Sequence, residues 1–111
     1  MLVWRKAPEL VLAIYKFAAA FPKRETYGLS HQMRRGGDFH SRQPRGSFRK
    51  RSKVDKVRFL NMAEGSIEER RYYLILAQDL SYGQTETLMN SLEEVSRLLS
   101  AYARAILASG S

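Results

Sequence analysis

The sequence predicts an all-α protein, an antiparallel up-down-up-down four-helix bundle whose second helix is broken near residues 36–47. Three observations predict it. Leu88, Leu92, Val95, Leu99, Tyr102 and Ile106 keep an unbroken alternation of four- and three-residue steps, the spacing of a seam that packs at a shallow angle on neighbouring helices. Val54, Val57, Leu60, Ala63, Ile67 and Leu74 follow the same 3.6-residue period through residues 52–81. Trp4, Ala7, Val11, Ile14, Ala18 and Phe21 repeat it near the start. No alternating strand pattern competes, and no internal repeat is visible. At 111 residues the chain is one domain spanning 1–111, with 36–51 an irregular basic segment and 109–111 a fraying tail.

The first helix occupies residues 4–21. Pro8 fits best in a first turn, where its missing N–H does no harm, so the start is expected near Arg5–Ala7. Pro22 ends it, because the residue before a proline disfavours helix. A second helix begins near residues 27–30 and runs through Arg35. Then the apolar period fails: residues 36–47 hold three glycines and a proline and read as a loop, unusually long for a small helical domain.

The third helix, 52–81, is the element around which the others are arranged. Ser52 is its expected cap, with Asp55 three residues on, and Gly83 its expected stop. Its stripe is interrupted once, by Arg70 and Arg71. Phe59, Met62, Tyr73 and Leu76 form a second apolar edge, assigned here as an oligomer contact, since a helix with a doubled apolar face usually touches more than one neighbour. Gly65 and Ser66 lie mid-helix, where glycine costs about 1 kcal/mol against alanine. Close approach of another helix is the expected reason. The fourth helix runs from about Thr85 to Ala108, with Leu98 and Ala105 widening its seam.

Charge narrows the function. From Arg34 to Arg58 there are ten Lys and Arg against two acids, which accounts for the whole net charge of +8 and leaves the rest of the chain balanced. A basic block on an otherwise neutral protein points to a polyanion, most often nucleic acid. Arg34, Arg35, Arg49, Lys50, Arg51, Lys53, Lys56 and Arg58 are the candidate contacts. Arg49–Arg51 lead into a helix N-terminus, where backbone N–H groups add to the side-chain charge. Tyr72, Tyr73, Tyr82 and Tyr102 are of the type that stacks on bases, although aromatics at helical spacing are more often core.

Other chemistry finds little support. Without cysteine there are no disulfides, thiolate metal sites or cysteine nucleophiles. His31 and His40 lack partners at ligand spacing. Glu64, Glu68 and Glu69 lack the Glu-x-x-His motif of di-metal bundles and are expected to pair with Arg71 or with cations on neighbouring helices. Gly36–Gly37 has neither the spacing nor the preceding strand of a phosphate loop. No catalytic residue, metal or cofactor is expected. No apolar run reaches a membrane span and the start has no signal-like pattern, so a cytoplasmic, membrane-free protein is expected.

Residues 4–35 and 52–80 then suggest a family. Trp4–Lys6, Phe21–Pro22, Tyr27-Gly28-Leu29, Gln32-Met33-Arg34-Arg35, and Phe59-Leu60 with Ala63, Gly65 and Ser66 resemble the bacterial four-helix-bundle proteins encoded within intervening sequences of 23S rRNA genes, often labelled S23 ribosomal-protein-like. The accessory variability protein of diversity-generating retroelements is similar in fold. The resemblance implies a bundle, commonly assembled as a pentameric ring, with a basic surface suited to nucleic acid and no enzymatic activity.

The departure lies at residues 36–47, where the family pattern is close to Ala-x-Ser-Ile-Pro-x-Asn-Ile-Ala-Glu-Gly. Codons compatible with Gly-Gly-Asp-Phe-His-Ser-Arg-Gln (GGC GGT GAT TTC CAT TCC CGC CAA), read one nucleotide later, give Ala-Val-Ile-Ser-Ile-Pro-Ala and then Asn. The expectation is a local frameshift restored near Phe48, either a sequencing error or a real double indel. In the error case Asp38, Arg42 and Arg45 vanish while the eight candidate contacts remain. The sequence thus predicts a self-associating, non-enzymatic bundle that binds RNA or DNA mainly by phosphate contacts. The alternative is a protein–protein scaffold, such as an accessory subunit of a reverse transcriptase.

Overall fold

The computed structural model describes residues 2–22, 28–35 and 48–109, with the backbone alone at Arg34 and Arg35. The described residues form four helices and no strand: α1 (Leu2–Ala19), α2 (Leu29–Arg35), α3 (Lys53–Asp79) and α4 (Glu86–Ala108). The expected all-α four-helix bundle is the observed architecture. α4 packs along both α3 and α1, while α2 lies on α1 and touches α3. The start of α1 lies beside the start of α3 and the end of α4, as the Trp4–Phe59 and Trp4–Tyr102 ring contacts show. At the other end, Phe21 meets Tyr82 in the α3–α4 turn. Residues 36–47, including the frameshift candidate, lie outside the described residues.

α1 buries Val3, Ala7, Leu10, Ile14 and Ala18. The stripe is therefore centred one residue earlier than the Trp4–Val11 reading at two positions, and Trp4 and Val11 sit half-buried on its shoulder. The helix begins at Leu2 rather than near Arg5, so Pro8 falls beyond the first turn. Its ring leaves the Trp4 carbonyl without the usual i+4 donor. The expected stop holds: α1 ends at Ala19, and the Phe21 N–H closes on the Ala18 carbonyl at 3.1 Å just before Pro22.

α3 starts as expected. Ser52 is extended, and its hydroxyl accepts the Asp55 N–H at 3.2 Å. Such a cap contributes about 1 kcal/mol. The helix buries Phe59, Leu60, Ala63, Ile67, Arg70, Leu74 and Ala77. Val54, assigned to this stripe from its spacing, is 66 % exposed. At about 100° per residue Val54 falls on the side of α3 opposite the buried stripe, beside Met62. That end of the core is filled instead by Phe48, which is 1 % exposed and packs on Trp4, Phe59 and Tyr102 with ring centroids 4.8–5.7 Å away.

The interruption of the stripe is resolved by chemistry. Arg70 stays on the buried face, where its Nη1 donates to the Ser66 carbonyl at 3.2 Å and to the Ser66 hydroxyl. Arg71 turns to α4, donating from Nε to Glu93 at 2.6 Å and from Nη1 to Glu68. These hydrogen bonds, that to Glu93 first, raise the already high pKa of Arg71 and keep it cationic.

The α3 stop differs from expectation. Leu80 is the C-cap and Ser81 the left-handed residue, with φ 61°. The Tyr82 N–H donates to the Ala77 carbonyl at 2.9 Å and the Ser81 N–H to Gln78 at 3.0 Å, the paired bonds of a Schellman ending. Gly83 serves a different purpose: a Cβ there would lie 2.6 Å from the Phe17 ring. Gln78 then fastens the next helix, its Oε1 accepting the N–H and hydroxyl of Thr85 at 3.2 and 3.0 Å. α4 follows its predicted seam, with Leu92, Val95 and Leu99 at most 3 % exposed.

Candidate nucleic-acid interface

The basic side chains gather where α3 begins and α4 ends. Phe48 anchors the approach to α3, and the Arg51 N–H donates to its carbonyl at 3.1 Å. The buried ring thereby positions the polar residues after it. Arg49 and Lys50 project into solvent. Arg51 lies over the Phe59 ring and Lys56 over the Phe48 ring, each 5.9 Å from the centroid. Cations in this position gain a modest attraction to the ring face. Lys53 Nζ donates to the Ser109 carbonyl at 2.7 Å, where a cation meets the negative end of the α4 dipole. Arg58 is exposed and only loosely held by Asp55, at 3.9 Å.

Arg51, Lys53 and Lys56 share one open groove with Tyr102, Ala105, Ile106 and Ser109, about 440 Å³ in volume. Burial pushes the Tyr102 phenol above its ordinary pKa, and nearby Arg49 opposes that shift. The phenol is therefore neutral at physiological pH. Cations line the rim of this groove and apolar groups its wall.

The structure thus brings Arg51, Lys53 and Lys56 into one groove, with Arg49 and Lys50 exposed before it, while Arg58 lies on another side of α3 beside Val54 and Met62. Arg34 and Arg35 close α2, and their side chains lie outside the described residues, as do Asp38, His40, Arg42 and Arg45. Spacing alone missed two contributors. In sequence Phe48 is an isolated apolar residue in a polar run, and Ser109 belongs to a tail expected to fray. The signal for Phe48 was its surroundings: a large aromatic flanked by Ser47 and Arg49 has no polar reason to be there.

The remaining candidates separate clearly. Phe59 is buried in the monomer core; Tyr73 and Leu76 are half-buried; Met62 is 56 % exposed. Among the described residues nothing lies within 4 Å of a Cβ placed on Gly65, so no described helix of the chain packs closely there. Ser66 is the hydrogen-bond partner of Arg70 instead. Tyr82 packs on Phe21, while Tyr72 is exposed. Glu68 pairs with Arg71 as expected, and Glu64 accepts the Ser100 hydroxyl at 3.1 Å. His31 is exposed, and among the described residues no three His, Asp or Glu side chains gather as a metal site. No described helix is long and apolar enough to cross a membrane.

No curated protein sequence matches the chain. A family model does, the one described as 23S rRNA-intervening sequence protein, and the match spans residues 1–101.

Proposed function

The chain belongs to the 23S rRNA-intervening sequence protein family, and on that premise we propose that it is a non-enzymatic, self-associating bundle that binds RNA or DNA through the basic end of α3. The observation that carries this reading is the clustering of Arg49, Lys50, Arg51, Lys53, Lys56 and Arg58 at one end of the molecule, with Asp55 the one acid among them. Each cation that neutralises a phosphate releases a counterion, giving affinity without sequence specificity and a strong salt dependence. The description of the matched family names an rRNA intervening sequence and no reaction.

Self-association rests on the outward side of α3. Val54, Met62, Tyr72 and Ile75 are each 47–66 % exposed, and Gly65 leaves the backbone bare among them. Apolar residues on both sides of one helix are what a bundle that also contacts its neighbours requires. A ring of identical chains would repeat the basic patch and turn weak single contacts into avidity. The same apolar face favours a second reading, a scaffold that docks a protein partner in the cytoplasm.

The test is fluorescence anisotropy with labelled RNA and DNA duplexes across a salt series, with light scattering for mass. Binding by an oligomer that weakens steeply with salt supports the proposal. Absence of binding at low salt removes it and leaves the scaffold reading.

A further inference from the structure

We infer that the groove between the start of α3 and the end of α4 seats one unstacked nucleotide, so that the protein prefers single-stranded nucleic acid to duplex; this rests on the nucleic-acid reading above. Three features of the groove point the same way. Its volume of about 440 Å³ leaves an open groove with room for a base to lie against its wall. Its wall offers the half-buried Tyr102 ring and the Ile106 side chain, the kind of apolar platform on which a base rests. Its rim offers Arg51, Lys53 and Lys56, three cations for the phosphates on either side of that base.

A smooth basic surface would serve a duplex equally well, because a duplex shows a protein only phosphates and base edges. A recess with an aromatic wall rewards a base that has left its stack. Lys53 spends one N–H on Ser109 and keeps two for phosphate oxygens. Tyr102 is neutral, so it presents no negative charge to the phosphates.

The experiment compares four probes by anisotropy at 50 mM salt: a 12-nucleotide oligothymidine, an oligouridine of the same length, an abasic strand of the same length, and a 12-base-pair duplex. The natural-base strands are expected to bind about tenfold tighter than the abasic strand, the increment of one stacked base, and tighter than the duplex. Two variants localise the effect. Ala105→Glu places a carboxylate inside the groove from an exposed position on α4, and Ala101→Glu makes the same charge change one turn away, outside it. Ala105→Glu is expected to erase the single-strand preference, and Ala101→Glu to leave it. Equal binding of abasic and natural strands, tighter binding of the duplex, or equal effects of the two variants would overturn the inference while leaving the basic-surface reading intact. No binding of any probe would remove both.

Discussion

Replacing Phe48 with alanine should be the most damaging single change in the segment before α3. The ring is 1 % exposed and sits within 4.8 Å of Trp4, 5.4 Å of Phe59 and 5.7 Å of Tyr102, centroid to centroid. Fully burying such a side chain contributes about 1.5–3 kcal/mol by transfer alone. Truncation also leaves a cavity that surrounding helices close only in part, which brings the usual cost of a buried Phe→Ala change to about 3–5 kcal/mol. For a domain near this size, about 4 °C per kcal/mol follows, so the melting temperature should fall by about 12–20 °C. Thermal unfolding followed by circular dichroism at fixed protein concentration measures it. Trp4, the one tryptophan, supplies an independent readout: its emission should shift to the red as water reaches the vacated space. Phe48→Leu, which refills most of the volume, should recover more than half of the loss. A loss below 1 kcal/mol with unchanged Trp4 emission would refute the placement of Phe48 in the core. It would also detach Arg49 and Lys50 from any fixed position.

Three further outcomes are expected. Gly65→Ala should stabilise the isolated chain by about 1 kcal/mol, because the added methyl meets open space while helix propensity improves; denaturant unfolding checks it, and a loss of assembly on light scattering would show that the bare backbone serves a subunit contact. Glu93→Ala should cost about 0.5–1 kcal/mol by freeing Arg71 from α4, whereas Glu68→Ala, whose side chain is 67 % exposed, should cost less, as a comparison of urea midpoints would show. Because burial raises the Tyr102 phenol, the folded state keeps its proton where the unfolded chain has released it, so this contribution is complete below pH about 10 and declines as pH rises through the raised value. Tyr102→Phe should flatten that part of the decline in melting temperature between pH 9 and 11.

Where one residue pattern had one physical use, the sequence was readable. The α4 seam became the buried line of Leu92, Val95 and Leu99 because a four-three repeat admits only one inward face. Ser52 was legible as a cap because a hydroxyl before an acidic first turn has few other uses. The interruption at Arg70–Arg71 was legible as a break, but its resolution was not. Whether a buried arginine is tolerated depends on Ser66 one turn back, and whether Arg71 is held depends on Glu93, 22 residues on. Val54 was misread because successive three-residue steps from Val54 to Ala63 drift round a 3.6-residue helix, which leaves Val54 on the outward side while Ala63 is buried. Gly65 meets no described neighbour within the chain, and a glycine tolerated at an open surface and one required by a subunit contact look identical in sequence. The α3 stop was placed at Gly83 because glycine is the usual left-handed residue, yet Ser81 adopts that conformation and Gly83 clears the Phe17 ring. Within the candidate interface, the cations were legible as a run of charge. The groove was not, since its far wall comes from Tyr102 and Ile106, about fifty residues away.

The central claim is that the cations before and within the first turns of α3 bind phosphates, and its most direct test is the salt slope of binding in Arg49→Ala/Lys50→Ala. Both side chains are exposed, so the fold should tolerate their removal. Each phosphate contact contributes about 0.9 to the slope of log K against log salt on duplex and about 0.7 on single strands. The double variant should therefore bind more weakly at low salt, with a slope smaller by about 1.4–1.8 and an unchanged melting temperature. An unchanged slope in a folded variant would contradict the claim and place the polyanion elsewhere on the bundle.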